Sequence, residues 1–352
     1  HDVAELLYNM YKDRFCCVAI EKNKWFEYNN HKWTDCDSGT ELRKTISKDV
    51  YNLFIKKMNE THENTTNIEL DTKSEKWNSI QKRFRKLSDI CPKLKTTNWK
   101  NCIMREAREL FYDSKFLSSM DSNTNLLCFN NGVIDFRDKI FRPGIPEDNI
   151  SKSTNIEYVK YDVSKQKQII DEINDFMEKL FPNRDLRNYM WDHLASTLIG
   201  DNNDQTFNIY NGCGSNGKSK LIELMSECLG DYKVTVPIQL VTQKRTSIGS
   251  TSSEIVQLMG TRFAVMQEPR KGDQLNEGIL KEITGGDPLQ GRALFKESVT
   301  FIPQFKLVVC TNTLLDVNSN DEGTWRRIRL CDFVSKFVDD QPNYSPEKEI
   351  YQ

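Results

Sequence analysis

The sequence has no excess of charge of either sign: 49 Lys and Arg stand against 51 Asp and Glu, a formal net charge of −2 over 352 residues. A chain so balanced has no global attraction for nucleic acid, so any contact with a polyanion must be local. Its ten cysteines contain no C-x-x-C pair, which removes the usual zinc and redox frameworks. Several of them lie in apolar runs such as Phe15–Ile20 and Lys306–Cys310, as small buried thiols in a reducing compartment do. No apolar run approaches the length of a bilayer span and the first residues are charged rather than signal-like, so a soluble, intracellular protein without a membrane partner is expected. The chain opens without Met, already in a helical pattern, and stops at Gln352 inside a charged segment, as a piece of a longer protein would. Its length implies about two domains, each able to bury its own core.

What is present is concentrated in one stretch. Gly212-Cys213-Gly214-Ser215-Asn216-Gly217-Lys218-Ser219 fits the phosphate-binding pattern G-x-x-x-x-G-K-[ST] at every fixed position. Thr206–Tyr210 reads as a strand before it and Lys220–Leu229 as an amphipathic helix after it. A strand feeding such a turn into a helix aims several backbone N–H groups, and the positive end of the helix, at a polyphosphate. ATP and Mg2+ are the implied ligands, with Lys218 on the β- and γ-phosphates and Ser219 on the metal.

Around this stretch the pattern divides. Val3–Tyr11 reads as helix, Trp25–Trp33 as a hairpin about an Asn-Asn turn, Glu41–Met58 as an amphipathic helix and Asn59–Asn67 as an exposed loop. From Ser74 to Leu117 the pattern is helical again, and Gln81–Lys86 carries four bases around Phe84, either a nucleic-acid contact or an ordinary basic surface helix. Leu126–Phe129, Gly132–Phe136 and Lys139–Arg142 read as short strands, and Gln166–Phe181 and Asp185–Ile199 as helices. A domain boundary is expected near residue 185, separating a mixed, mainly helical α+β region (1–185) from an α/β core (186–340), with 341–352 starting a further segment. In the core, strands are expected at Arg262–Gln267, Phe305–Thr311 and Trp325–Phe333, helices at Glu254–Met259 and Gln274–Ile283, and a hairpin at Pro288–Ile302.

Hydrolysis needs more than a phosphate loop. Arg262–Glu268 is an apolar strand ending in an acid, so Glu268 is the candidate to activate water and to help hold magnesium. Because Gln267 precedes it where a second acid is usual, the metal would rest on Ser219, Glu268, phosphate oxygens and water. Lys306–Asn312 is a second such strand, whose terminal Asn312 could bond the attacking water or the γ-phosphate. Arg326 and Arg327 offer planar donor forks suited to transition-state charge, or else pair locally with Asp321 and Glu322. On these residues alone a P-loop kinase or metabolic NTPase and a duplex-bound assembly ATPase remain open.

In order, GCGSNGKS (212–219), FAVMQEP (263–269), LKEITGGDPLQGRALFKESVTFIP (280–303), KLVVCTN (306–312) and DEGTWRRIRL (321–330) resemble helicase superfamily 3 of the AAA+ ATPases, and in particular the primase-helicases of nucleocytoplasmic large DNA viruses. The run Ile283–Asp287 with Arg292 is the most specific piece, and Asn125–Arg142 extends the likeness upstream. The resemblance implies an α/β AAA+ P-loop core, a homo-hexameric ring and ATP bound between subunits. Lys218, Ser219, Glu268 and Asn312 would act from one subunit, and Arg327 with Arg326 from its neighbour. It also implies a pore hairpin at Pro288–Ile302, with Arg292 on its first strand and Lys296 near its tip gripping DNA phosphates. Single-stranded or forked DNA is then the partner, followed 3′ to 5′, with other replication proteins around it. The N-terminal half would be a collar, any primase domain would precede residue 1, and the site of action would be the host cytoplasm.

Overall fold

The computed structural model describes residues 1–66, 75–243, 252–294, 298–338 and 350–351. The chain forms two compact units, His1–Met120 and Asp121–Gln352.

The first unit begins with α1 (Asp2–Tyr11) and an antiparallel sheet of β1 (Phe15–Ala19), β2 (Lys24–Asn29) and β3 (Lys32–Asp37). Asn30 and His31, at φ 49° and 65°, make the tight turn between β2 and β3; two consecutive positive φ values give the turn whose twist suits a hairpin. Next, α2 (Thr40–Thr45) passes through a π turn (Ile46–Val50) into α3 (Tyr51–Thr66), with Leu42, Ile46 and Val50 buried as their spacing predicts. The helix does not stop at Met58. The segment expected to be an exposed loop continues it to Thr66, because α4 (Glu75–Lys93) packs along it and sets the Phe84 ring 5.8 Å from that of His62. α5 (Thr97–Leu110) and α6 (Phe116–Ser119) complete the unit around a core that includes Trp25, Met104 and Phe111.

The second unit opens with a small antiparallel sheet, β4 (Leu126–Phe129), β5 (Gly132–Asp135) and β6 (Ile140–Arg142), followed by α7 (Lys167–Leu180) and α8 (Arg184–Ser196). There follow β7 (Phe207–Asn211), α9 (Lys218–Leu229), β8 (Lys233–Thr235), α10 (Gln239–Thr242), α11 (Ser253–Val256), β9 (Phe263–Gln267) and α12 (Glu277–Thr284). The hairpin β10 (Leu289–Arg292) and β11 (Ser298–Phe301), β12 (Lys306–Thr311), α13 (Glu322–Trp325), β13 (Ile328–Asp332) and the short parallel pair β14 (Phe337–Val338) and β15 (Ile350–Tyr351) complete it.

The boundary expected near residue 185 falls inside this unit. Arg262, 2% exposed, donates from its guanidinium to the carbonyls of Thr124 (2.6 Å) and Leu126 (3.0 Å), and the Tyr232 hydroxyl accepts from Cys128 N–H (3.2 Å). A buried guanidinium needs acceptors, and the segment 121–128 supplies them for both of its terminal nitrogens.

Five strands form a parallel sheet in the order β13-β7-β12-β9-β8. Side chains alternate between its faces. Phe207, Ile209, Met266, Leu307 and Val309 enter one core, and Tyr210, Phe263, Val265, Val308 and Cys331 enter the other. Because the strands run in one direction, the residues following β7, β9 and β12 emerge together at one edge, where open α/β sheets bind ligands.

Candidate nucleotide site

Three chain segments meet at that edge: the loop after β7, the end of β9 and the end of β12. They line a cleft of about 790 Å³ that takes in Gly214–Lys220, Gln267, Glu268 and Cys310–Asn312. The register explains the convergence, since Thr311 pairs with Asn211 on one side and Cys310 with Gln267 on the other.

The loop is built by its backbone. Ser215 and Gly217 have φ of 59° and 81°, and Gly217 N-caps α9, so Lys218 and Ser219 occupy its first turn. A Cβ on Gly217 would fall 2.5 Å from Leu180 Cδ1 and 3.1 Å from the Phe337 ring, so only glycine closes the turn there. Gly212 is hemmed in similarly, with Phe333 O 2.7 Å from where its Cβ would stand, whereas Gly214 faces open space. Cys213 is exposed, and none of the ten cysteines is in a disulfide.

Lys218 is 8% exposed. Its Nζ donates to Gly212 O, to Thr311 O (3.3 Å) and to Asn312 Oδ1 (3.0 Å), which joins the loop to the end of β12. Burial holds its ammonium below the ordinary value, against the opposite pull of Cys310, Cys213 and Glu268. Burial also pushes the Cys310 thiol up to about 11, so it stays neutral beside the lysine. Glu268 has φ 42°, a left-handed conformation that costs a non-glycine residue energy, and its N–H donates to Cys310 O (3.0 Å). The carboxylate is thereby turned to the cleft instead of continuing β9.

The donor set suits a polyphosphate with magnesium. It offers a row of loop N–H groups, a buried ammonium, a hydroxyl at Ser219 and a carboxylate at Glu268. Among the described residues no group of three or more His, Cys, Asp or Glu side chains could hold a metal ion alone, so substrate oxygens and water would complete the coordination.

The other expected site residues lie elsewhere. Ile328 pairs with Phe207, so Arg326 and Arg327 sit at the amino end of the sheet, roughly 15 Å along the strand from the phosphate loop. They follow α13 and precede β13, where a strand beginning at Trp325 was expected. Arg327 is 8% exposed, and its donors go to Thr284 Oγ1 (3.1 Å), Gly323 O (2.5 Å) and Gln205 Oε1 (2.9 Å). Arg326 is exposed and shares the Gln205 oxygen (2.8 Å). Asp321 pairs with Lys281 and caps α13, so the local pairing that the sequence left open goes to a lysine. Arg292 ends β10, with its N–H on Ser252 Oγ (3.0 Å); Lys296 lies outside the described residues. Asp175, Phe176, Lys179 and Phe337 also line the cleft and carry no motif.

Residues 4–181, just over half of the chain, match the family described as "D5 N terminal like", and residues 210–327 match a family described as of unknown function. A protein of Acanthamoeba polyphaga mimivirus named "Putative helicase" is 36% identical over 338 residues, covering 96% of this chain and 35% of the relative. A "Putative helicase" of Frog virus 3 is 26% identical over 96% of this chain and 44% of its own length. A "Putative primase" of African swine fever virus is 25% identical over 99% of this chain and 37% of its own. The chain thus spans between about a third and somewhat under half the length of these relatives. No helix among the described residues is long and apolar enough to cross a membrane.

Proposed function

The chain belongs to the family described as "D5 N terminal like", and on that premise we propose that it is the motor part of an ATP-dependent DNA helicase of viral genome replication, a superfamily 3 AAA+ ATPase. It acts as a homo-hexameric ring on single-stranded or forked DNA, moving 3′ to 5′, with the N-terminal region as its collar. A primase domain belongs to the same longer protein, which works with other replication proteins in the host cytoplasm.

The observation that carries this reading is the meeting of the phosphate loop, Glu268 and Asn312 in one cleft, bridged by Lys218 Nζ. Lys218 neutralises charge on the β- and γ-phosphates, and Asn312 orients the attacking water. Glu268 takes the proton from that water as the P–O bond breaks. Ser219 and Glu268 would hold magnesium, which when bound would further neutralise phosphate charge. The two arginines stand at the far end of the sheet from their own cleft, so they serve a neighbour's. Arg326, exposed and holding only a surface bond to Gln205 among the described residues, is the one that reaches the neighbour, and Arg327, with its donors engaged, holds the segment in place. The hairpin β10–β11, through Arg292 and Lys296, grips DNA phosphates without reading bases.

The test is ATP hydrolysis by size-separated protein with and without single-stranded DNA, beside Lys218→Ala. Hydrolysis in a hexamer-sized fraction, stimulated by DNA and lowered on the order of 100-fold or more by Lys218→Ala, is the expected result. Monomeric turnover indifferent to DNA would sink the ring helicase and favour a metabolic NTPase.

A further inference from the structure

The cleft does not end with the phosphate loop. Beyond Lys220 and Ile222 on α9 it continues between α7, which contributes Asp175, Phe176 and Lys179, and β14, which contributes Phe337. A nucleotide whose phosphates lie along Gly214–Ser219 must leave its sugar and base somewhere, and this is where the cleft leads. Phe176 and Phe337 are both half-buried: each packs against the second core of the unit while lining the cleft.

The segment carrying Phe337 is strapped across the loop. Phe333 N–H donates to Asn211 O (2.7 Å), and the Phe333 ring meets Phe181 edge-on with centroids 4.9 Å apart. Ser335 Oγ donates to Lys179 O (2.6 Å) and Phe337 N–H to Ser215 O (2.7 Å). Residues 333–337, the end of α7 and the phosphate loop are therefore one packed piece, with Gly217 pressed between Leu180 and Phe337.

We infer that Phe176 and Phe337 form a clamp for the flat base of a nucleoside triphosphate, set at a fixed distance from the phosphate loop by the strap of residues 333–337. This rests on the nucleotide reading above and adds the base subsite to it. The rings hold the base by stacking, which depends on area, so a purine is held better than a pyrimidine. The charged groups at the mouth compensate one another: Lys179 Nζ lies 2.7 Å from Asp175 Oδ2, so neither imposes a net charge on a neutral base.

The experiment compares two ligands that share the phosphates and differ in the base. Affinities of Mg-ATP and of inorganic tripolyphosphate are measured by calorimetry on the full chain, wild type and the variants Phe176→Ala, Phe337→Ala, Phe337→Tyr and Lys218→Ala, with melting curves for each. The clamp requires ATP binding to fall about 10-fold or more in both alanine variants, tripolyphosphate binding to stay within about twofold, and Phe337→Tyr to retain ATP. It is overturned if the alanine variants lose both ligands equally, which makes the rings mere supports of the loop. It is overturned equally if they lose neither, or if the wild type binds ATP no tighter than tripolyphosphate. Failure of the nucleotide reading looks different: Lys218→Ala would then leave both ligands unaffected.

Discussion

His193, on α8, is 5% exposed, and its Nε2 has no hydrogen-bond partner among the described residues. Its ring stacks on Tyr189 (centroids 6.0 Å apart) and meets Tyr210 edge-on at 6.1 Å. Burial lowers its pKa from 6.5 to about 4; the Lys306 ammonium pushes the same way and Asp204 opposes it. As pH falls below 6.5 the unfolded chain takes up a proton that the folded chain refuses. Stability present above that pH is therefore lost as pH falls toward 4. At pH 5 the loss from this one group is about 2 kcal/mol. Unfolding by urea at pH 7.5 and pH 5.0 should show the drop in wild type and a drop smaller by about that amount in His193→Phe, which keeps the ring packing and removes the proton site. Equal drops would mean that the imidazole is hydrated or protonated in the folded state. None of this was legible in the sequence, where His193 is one polar residue in a helical pattern.

At the scale of elements, the sequence carried the strands and helices that bear the motifs, because each such strand is a mainly apolar run that stops just before the residues given a chemical role: Asn211 before the loop, Gln267 before Glu268, Thr311 before Asn312. Segments governed by a distant partner were not legible. Residues 59–66 are helical because α4 lies along them, and residues 121–128 join the second unit because Arg262 needs their carbonyls. Phe337 reaches the cleft through a strap that no local pattern announces. The arginine pair shows the same limit, since the motif puts two guanidiniums side by side and only the fold separates their roles. Arg327 ties α13 to Thr284 of α12 and to Gln205 before β7, while Arg326 is exposed and among the described residues its side chain bonds only Gln205. Arg327→Ala should therefore lower unfolding stability by about 1–3 kcal/mol, losing three hydrogen bonds of which that to Thr284 is buried, whereas Arg326→Ala should stay within about 0.5 kcal/mol. Denaturant midpoints measured on both variants decide it, and equal midpoints would remove the distinction.

At the scale of the whole molecule, the proposed function requires one chain to hold both halves of a catalytic arrangement that it cannot assemble by itself. The cleft lies at the carboxyl end of the parallel sheet and Arg326 at the amino end, on the side of the edge strand β13. If rings form head to tail, each cleft faces the next subunit's arginine, and a site consists of Lys218 from one chain and Arg326 from another. Two inactive variants should then complement each other. Lys218→Ala has no working cleft but an intact arginine, and Arg326→Ala has the reverse. In an equal mixture allowed to exchange subunits, up to about a quarter of the interfaces pair an intact cleft with an intact arginine, so ATP hydrolysis should recover toward that fraction of wild type. No two neighbouring interfaces can both be intact in such a ring, so this recovery is the outcome expected of sites that fire independently, and obligate sequential firing would abolish it. If exchange is verified by size separation of differently tagged subunits and no activity returns, either Arg326 does not act across the interface or the ring fires only in strict sequence; a wild-type ring doped with a few Arg326→Ala subunits separates the two, since only strict sequence lets one such subunit silence a whole ring.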